Sequence, residues 1–277
     1  MRDDHPVFFD SATNAYVLSR YADVAAVLND FETYSAATYE GSTGAVLGPT
    51  MISMDHGGHV WRRSIVAPEL VGSRLANSQA VLDRAIDELL TDCLGPTRRF
   101  DLVRQLTTKL PVHVIADLFA NPSVLDSVRD DPALLDACFS ETMRRDPPVI
   151  YEDRFARRDV EWHGVSIRAG SRVRVCIGAA HHDESVFADP DRFDPFRSDL
   201  HLGLEHRTGR YVDGVSGHLG FGVGKHFCVG YELARLEALS ASRALLQRAP
   251  DLRPDGPVPP LVLTRGMRST PTLAVLY

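Results

Sequence analysis

Residues 221–230 carry the strongest chemical signal in this sequence, Phe-Gly-Val-Gly-Lys-His-Phe-Cys-Val-Gly. Cys228 lies where this glycine-rich stretch passes into a helical pattern over residues 231–246. A helix start offers unpaired N–H groups and the positive end of the helix dipole, and both favour a thiolate over a thiol. Gly222 and Gly224 lack a β-carbon, so the loop can bring its amides close to the sulfur and a flat ligand can lie against it. The position of Cys228 therefore favours a thiolate.

Two other interpretations fit a glycine loop in front of a helix. Phosphate-binding loops use the same geometry, but no Lys-Ser or Lys-Thr pair enters the helix here, and Cys228 stands in the corresponding place. The second alternative is a structural cysteine behind a glycine turn, because free cysteines are commonly buried. The residues alone leave this second alternative open.

The ten-residue stretch resembles the haem-binding signature Phe-Gly-x-Gly-x-(His/Arg)-x-Cys-x-Gly of the cytochrome P450 superfamily. The resemblance implies haem b as the cofactor and Cys228 as the ligand of its iron. In the family such a thiolate pushes electron density onto the distal ligand and favours O–O cleavage. The positions that carry the match, and that the resemblance places around the haem, are Phe221, Gly222, Gly224, His226, Cys228 and Gly230.

His59 and Arg63 lie four residues apart, a spacing that places both on one face of a helix. The plain interpretation is a solvated surface pair. The segment also resembles the family's helix that supplies a histidine and an arginine to a haem propionate, with Ala67-Pro68 at the expected offset. By the same resemblance Arg154 matches a second propionate-binding arginine. We therefore expect His59, Arg63 and Arg154 to neutralise the propionates.

Glu141 and Arg144 lie three residues apart in a predicted helix that ends at Pro147-Pro148. Glu141 falls on an apolar face, where a charged group needs a partner. Taken alone, the spacing is most often that of a surface ion pair. Together with Arg192, in an Asp-Pro-Asp-Arg-Phe segment, it resembles the Glu-x-x-Arg helix and the later arginine with which the family locks its cysteine loop. The resemblance implies that Glu141, Arg144 and Arg192 form a buried structural network.

Composition narrows the class of protein. The chain has 277 residues, and its 44% hydrophobic content is ordinary for a soluble globular protein. Its net charge of −7 is spread without a long like-charge run, which argues against a nucleic-acid partner and for a small-molecule site. The four cysteines include no close pair of the kind found in zinc sites or disulfide frameworks. Neither a signal-peptide pattern nor an apolar run of membrane-spanning length occurs, so we expect a cytoplasmic protein without a membrane partner.

The alternation of helical and strand patterns predicts a mainly α fold with small β-sheets. The resemblance implies a truncated cytochrome P450-like fold, with residues 1–277 as a single haem domain. Residues 120–130 have loop character and stand where the family has its lid helices and its long central helix. A loop is also predicted over residues 39–51, and a terminal hairpin over 261–267 and 273–276. No Ala-Gly-x-x-Thr or comparable acid–alcohol pair occurs in the sequence.

The resemblance implies a haem-thiolate enzyme that acts on a small organic molecule, in bacterial secondary metabolism. Without the acid–alcohol relay we expect an unusual mechanism, driven by peroxide or with the substrate itself bound to iron. The alternatives are a monooxygenase that uses ferredoxin and its reductase, with a lid from another subunit, and a haem-binding protein without turnover. The apolar surface left by the shortened region predicts a homodimer. The sequence does not indicate which substrate is used.

Overall fold

The computed structural model describes residues 4–41, 43–106, 109–200, 216–264 and 266–277. Helices predominate among these residues, with four small sheets, which confirms the predicted class. Two compact units can be distinguished. The first draws its described residues from Met1–Pro68, Val149–Asp191 and Ser198–Val229, and the second from Glu69–Pro148, Arg192–Arg197 and Gly230–Tyr277.

A five-stranded sheet forms the centre of the first unit. Its strands, in spatial order, are β1 (Val7–Asp10), β2 (Ala15–Leu18), β8 (Arg172–Val175), β5 (Glu152–Ala156) and β3 (Tyr34–Ser35). β2 pairs in parallel with β8, and the other neighbours are antiparallel. Val173 and Val175 alternate with Arg172 and Arg174 and are buried, because successive strand side chains point to opposite faces.

The helices of the first unit are short. α1 begins at Tyr21, whose N–H donates to Oδ2 of Asp183 (2.9 Å), and it buries Val24, Val27 and Leu28 at helical spacing. The loop predicted over residues 39–51 is corrected by the structure, because residues Thr43–Leu47 form a helix. These helices are α1 (Tyr21–Asn29), α2 (Thr43–Leu47), α3 (His56–Val66) and α10 (Ile177–Ala180), and a separate hairpin joins β6 (Val160–Trp162) to β7 (Val165–Ile167).

The second unit is built from longer helices. The helices are α4 (Gly72–Asn77), α5 (Gln79–Cys93), α6 (Leu102–Gln105), α7 (Lys109–Ala120), α8 (Pro122–Asp130), α9 (Leu135–Arg145) and α11 (Tyr231–Arg248). α11 packs against α5, α7 and α9, and it contributes buried Ala238, Ala241 and Leu245 at spacings of three and four.

The segment expected to be a loop over residues 120–130 is a helix, so that prediction is wrong. Pro122 stands in the first turn of α8, where its missing N–H has no helical partner to lose. Leu125 and Val128 lie three residues apart and are both buried. Asn121-Pro122 resembles a turn signal. Leu125 and Val128 favour a helix, but two apolar residues are a weak periodic pattern.

Two small sheets complete the second unit. β12 (Ala274–Leu276) lies between β4 (Arg99–Asp101) and β9 (Arg253–Pro254), and β10 (Val262–Thr264) pairs with β11 (Met267–Ser269). The terminal hairpin is therefore β10–β11, and the last strand joins another sheet instead of pairing with residues 261–267. None of the helices in the described ranges has the length and apolarity needed to cross a membrane.

Candidate functional site

The cysteine loop closes on itself before α11 begins. The N–H of Cys228 donates to the carbonyl oxygen of Phe221 (2.8 Å), and the N–H of Phe227 donates to that of Gly224 (3.1 Å). Gly222 and Gly224 have φ of 69° and 68°, a left-handed conformation that favours glycine. A β-carbon on Gly224 would lie 2.7 Å from Oδ1 of Asn29, so the glycine also allows the loop to approach α1.

Cys228 differs from the other three cysteines in its exposure. Cys93 and Cys138 are buried, whereas Cys228 is exposed. Burial raises the thiol pKa of Cys138 to about 12 and that of Cys176 to about 11, which makes both poor thiolate donors. All four cysteines are described; Cys176 is partly buried, and Cys228 is the one that is exposed. The exposure of Cys228 differs from the burial that is usual for a structural cysteine.

Asp55 precedes α3 and gathers partners from separate segments of the first unit. Its Oδ2 accepts from Oγ of Ser35 (2.5 Å) and pairs with Nη2 of Arg157 (2.5 Å). Its Oδ1 accepts from the N–H of Ala36 (3.3 Å) and lies 3.2 Å from Nε2 of His226. Burial alone would raise the pKa of Asp55, but the hydrogen bonds to His226, Ser35 and Ala36 outweigh it and hold the pKa well below its usual range.

His59 is buried on α3 and stacks on His226, with 4.3 Å between the ring centroids and 35° between the planes. Burial, followed by the charges of His226 and Arg63, lowers the pKa of His59 to about 4. At neutral pH the ring is therefore neutral in this structure. A nearby carboxylate would raise the pKa again, because an opposite charge favours the protonated form.

The two predicted arginines have different surroundings. Arg63 lies one turn beyond His59 on α3 and is half-buried. Arg154 lies on β5 and is buried; its Nη2 is 2.6 Å from Oε2 of Glu152, and its Nη1 donates to the carbonyl oxygen of Asp153 (2.9 Å). Glu152 lies on the same strand and already balances the charge of Arg154. Burial, followed by the charge of Glu152, also raises the pKa of the neighbouring Tyr39 to about 12.

The donor set of the first unit fits a flat anionic metal complex such as haem b. Cys228 supplies an exposed sulfur for iron. Arg63, His226 and Lys225 add positive or protonatable groups whose charges lower the pKa of His59. Soft thiolate ligands suit iron, and the guanidinium and imidazole groups suit carboxylates. The residues that the resemblance assigns to the thiolate and to the propionates therefore lie within one compact unit.

Glu141 and Arg144 form a buried ion pair on α9 in the second unit. Nε of Arg144 is 2.7 Å from Oε2 of Glu141, Nη2 is 2.8 Å from Oε1, and both side chains are fully buried. Nη2 of Arg144 also donates to the carbonyl oxygen of Arg192 (3.1 Å). Oε1 of Glu141 accepts from the N–H of Asp194 (2.9 Å) and lies 3.3 Å from Nη1 of Arg197.

The guanidinium of Arg192 does not take the place expected for it. Its side chain is 68% exposed and lies 3.2 Å from Oδ2 of Asp194, whereas the Arg197 side chain is 6% exposed and contacts Glu141. Arg192 contributes its carbonyl oxygen instead. An arginine five residues later reaches the buried carboxylate, because the chain turns between the two positions; the N–H of Arg197 donates to the carbonyl oxygen of Asp194 (3.2 Å).

Asp117 on α7 is a second buried acid, and no pattern in the sequence predicts its burial. Oδ2 of Asp117 accepts from Oγ1 of Thr142 (2.7 Å), and Oδ1 lies 3.4 Å from Nη1 of Arg145. Burial, followed by the charge of Asp146, raises the pKa of Asp117 to about 7. Asp55, Arg157, Arg197 and Asp117 were all missed by sequence reasoning; only Asp55, an acid just before a helix pattern, had a signal that could have drawn attention to it.

Comparison with known proteins bears on the same region. The sequence model of the cytochrome P450 family matches residues 126–260. Cytochrome P450 107B1 of Saccharopolyspora erythraea is 39% identical over 150 residues, covering 54% of this chain and 33% of the relative. The cytochrome P450 monooxygenase PikC of Streptomyces venezuelae is 37% identical over 173 residues, covering 60% of this chain and 38% of the relative. The chain thus spans little more than a third of the length of these curated relatives.

The fold agrees with that of solved P450 structures. The crystal structure of P450BioI in complex with an acyl carrier protein ligated to hexadec-9Z-enoic acid aligns with a TM-score of 0.84 at 20% identity, covering 100% of this chain and 96% of that chain. Haem b is the cofactor of this family. The matched sequence region, the glycine loop with its exposed cysteine and the shared fold all point to one family: this chain is similar to the cytochrome P450 superfamily in sequence over residues 126–260 and in its fold.

Proposed function

We propose that this chain is a haem-thiolate oxidoreductase that acts on a small organic molecule, with Cys228 as the ligand of the haem iron. The observation that carries the proposal is the exposed Cys228 in a loop closed by left-handed glycines, just before α11. When bound, haem supplies the redox chemistry of a thiolate-ligated iron. The part of the protein is to hold the sulfur at a fixed place and to shape the surroundings of the cofactor.

The other site residues have proposed roles in holding the cofactor. Phe221 and Gly222 shape the loop that presents the sulfur, and Gly230 leads from it into α11. His226 and Arg63 are proposed to bind the propionates, since both act electrostatically on His59. His59 is proposed to join them by taking up a proton when a carboxylate arrives. Arg154 remains a proposed propionate partner, with Glu152 as the carboxylate that holds it now.

For the reaction itself we propose a mechanism driven by peroxide or one in which the substrate binds to iron. The sequence lacks the family's acid–alcohol pair, so protons would reach the iron unguided by that relay. Large apolar side chains on and beside α2 and α3 are exposed, which supports open access to this part of the first unit. These side chains are Val46, Leu47, Ile52, Val60, Trp61 and Ile65.

The same apolar side chains support a homodimer as the proposed assembly. Large exposed apolar patches are uncommon on soluble monomers, and a second copy is the simplest cover. Trp61 is 62% exposed, and Val46 is 83% exposed. Light scattering tests the assembly: a mass of one chain would contradict it, and a mass of two chains would support it.

The second candidate is a monooxygenase that uses ferredoxin and its reductase. The observation in its favour is the similarity to PikC, which is named a monooxygenase. In that case the cover over the cofactor comes from another subunit. A haem-binding protein without turnover is the third possibility, and it predicts haem binding without product under every condition.

A cysteine substitution tests the proposed iron ligand. The wild-type chain, reconstituted with haem b, is expected to give the thiolate spectrum in its ferrous carbon monoxide complex. Cys228→Ser should lose this spectrum, whereas the matched control Cys176→Ser should keep it, because Cys176 is a partly buried thiol with a raised pKa. An unchanged spectrum in Cys228→Ser would assign the ligand elsewhere.

A comparison of oxidants separates the first two candidates. Product formation from a panel of small organic substrates is measured with hydrogen peroxide and, separately, with ferredoxin, its reductase and a nicotinamide cofactor. We expect turnover with peroxide and poor coupling of reducing equivalents to product. Efficient oxygenation only with the reductase system would replace this proposal with the ordinary monooxygenase.

A further inference from the structure

We propose that Asp55 is a positioning residue that fixes the ring of His226, and through it the cysteine loop, against the start of α3. Nothing in the sequence resemblance assigns a role to Asp55. The consequence for haem rests on the proposed function, whereas the contact between Asp55 and His226 does not depend on a cofactor.

Asp55, at the start of α3, contacts three segments that are distant from it in sequence. They are the end of β3 with Ser35 and the following Ala36, the residue after β5, Arg157, and the cysteine loop with His226. A single carboxylate with two oxygens accepts from all of these partners. Removing it would therefore release the loop from three other parts of the first unit at once.

Burial and charge make this carboxylate an effective anchor. The Asp55 side chain is 5% exposed, and the His226 side chain is 12% exposed. Hydrogen bonds in which one partner is ionised are shorter and stronger than neutral ones, and they gain strength away from water. The ring of His226 is further held by its stack on His59, so both its edge and its face have fixed neighbours. These two contacts restrict the ring to one orientation.

The position of the ring affects the sulfur through a short stretch of backbone. His226 stands two residues before Cys228, and the N–H of Phe227 between them is bonded to Gly224. A loop closed by backbone hydrogen bonds moves as a unit. Displacement of His226 from Asp55 would therefore shift Cys228 relative to α3, which carries the proposed propionate partners. Residues that orient the ligands of a metal centre in this way change its affinity without touching the metal.

A double-mutant cycle on haem retention tests the proposal. Asp55→Asn keeps the shape of the side chain and removes its charge, and His226→Gln removes the ring. The rate of haem loss is measured by transfer of haem to apomyoglobin. We expect Asp55→Asn to raise that rate about tenfold or more, in the range found for residues that orient metal ligands. In the His226→Gln background the same substitution should change the rate less than about twofold, because coupled residues are not additive.

Two control variants remove other contacts of the same carboxylate. Ser35→Ala and Arg157→Gln each take away a partner of Asp55 and leave His226 in place. If Asp55 is only a structural anchor, these variants should raise the rate of haem loss as much as Asp55→Asn, and His226→Gln should not abolish the effect. If it acts through His226, their effects should be smaller and should persist in the His226→Gln background.

A measurement without haem keeps the proposal testable if Asp55→Asn does not fold. In the cofactor-free wild-type chain, nitrogen-15 correlation spectra of the histidine rings are recorded, with His226→Gln used to assign the signals of His226. A hydrogen-bonded Nε2 of His226 would support the contact, and a freely averaging ring would overturn it. A wild-type chain that holds no haem would refute the proposed function; the contact between Asp55 and His226 would then be tested by the nitrogen-15 spectra alone. Normal haem binding with equal retention in Asp55→Asn would refute the positioning role alone.

Discussion

The charged cluster around Asp55 and the ion pair of Glu141 with Arg144 solve the problem of buried charge in different ways. In the second unit, Glu141 and Arg144 are fully buried and satisfy each other through two hydrogen bonds. In the first unit, Asp55 faces Arg157 and His226, and further positive charge from Arg63 and Lys225 acts on His59. The Glu141–Arg144 pair is fully buried, whereas Arg63 is half-buried and Lys225 is exposed.

This difference separates a structural role from a binding role. A buried pair whose hydrogen bonds are complete gains nothing from another ligand, and it destabilises the fold if one partner is removed. In the Asp55 cluster, burial, followed by the charges of His226 and Arg63, keeps His59 neutral, and the protonated ring would gain from the arrival of an anion. The exposed Cys228 belongs to the same unit as this cluster. The location of these protonatable and cationic groups agrees with the proposed cofactor site.

The largest expected effect tests the closed pair. Arg144→Ala leaves the carboxylate of Glu141 buried, with Arg197 as its remaining charged partner. We expect a loss of about 3–5 kcal/mol in the free energy of unfolding, as for other broken buried pairs. Urea unfolding followed by circular dichroism measures this change. A loss below about 1 kcal/mol would show that the pair behaves like a surface pair and would remove the contrast with the Asp55 cluster.

The next effect concerns Asp117, whose pKa is raised to about 7 by burial. The folded carboxyl group keeps its proton between about pH 4 and pH 7, where the unfolded one has lost it, so its contribution to stability falls as pH rises through this window. Asp117→Asn should remove this slope, and at pH 8 it should gain on the order of 2–4 kcal/mol over the wild type. Urea unfolding from pH 4 to pH 8 measures it, with Asp126→Asn as the exposed control. A slope equal to that of the wild type would contradict the prediction.

His59 should give a pH slope of the opposite sign. Its pKa is lowered from 6.5 to about 4, so the unfolded ring takes up a proton before the folded one does, and stability falls as pH decreases from about 6.5 to about 4. His59→Gln should remove on the order of 2–3 kcal/mol of this loss. His56→Gln, on the same helix but half exposed, is the control and should leave the slope in place. Equal slopes in wild type and His59→Gln would mean that the cluster holds no neutral buried histidine.

The smallest effect distinguishes two arginines near Glu141. The Arg192 side chain is exposed and pairs with Asp194, so Arg192→Ala should cost less than about 1 kcal/mol, as exposed pairs generally do. Arg197→Ala removes a buried partner of Glu141 and should cost more. Unfolding in urea of the two variants side by side provides the measurement. A larger loss in Arg192→Ala would restore the role that the sequence resemblance assigns to that arginine.

The predictable part of the fold consists of elements with a strong local signal. The helical pattern over residues 231–246 predicts most of the observed helix Tyr231–Arg248, because a long periodic segment needs little help from tertiary contacts. The helix Pro122–Asp130 was not expected, since its two buried side chains are a weak pattern and its proline resembles a turn signal.

For the candidate site, the local chemistry can be recognised from residue types and their spacing. The spacing of Cys228 and its glycines, the positions of His59 and Arg63, and the Glu-x-x-Arg motif lie in short segments that can be recognised without coordinates. Local backbone constraints act over a few residues, so such signals survive in a linear sequence.

Folding determines which residues from distant parts of the chain meet. It brought Ser35, Asp55, Arg157 and His226 together, exchanged the side chain of Arg192 for that of Arg197, and buried Asp117 beside Thr142. It also made His59 neutral, because burial and neighbouring charges set a pKa and neither can be known from residue type. Ion pairs and pKa values depend on separations in space between residues that are up to 171 positions apart in the chain. These separations arise only when the chain is folded.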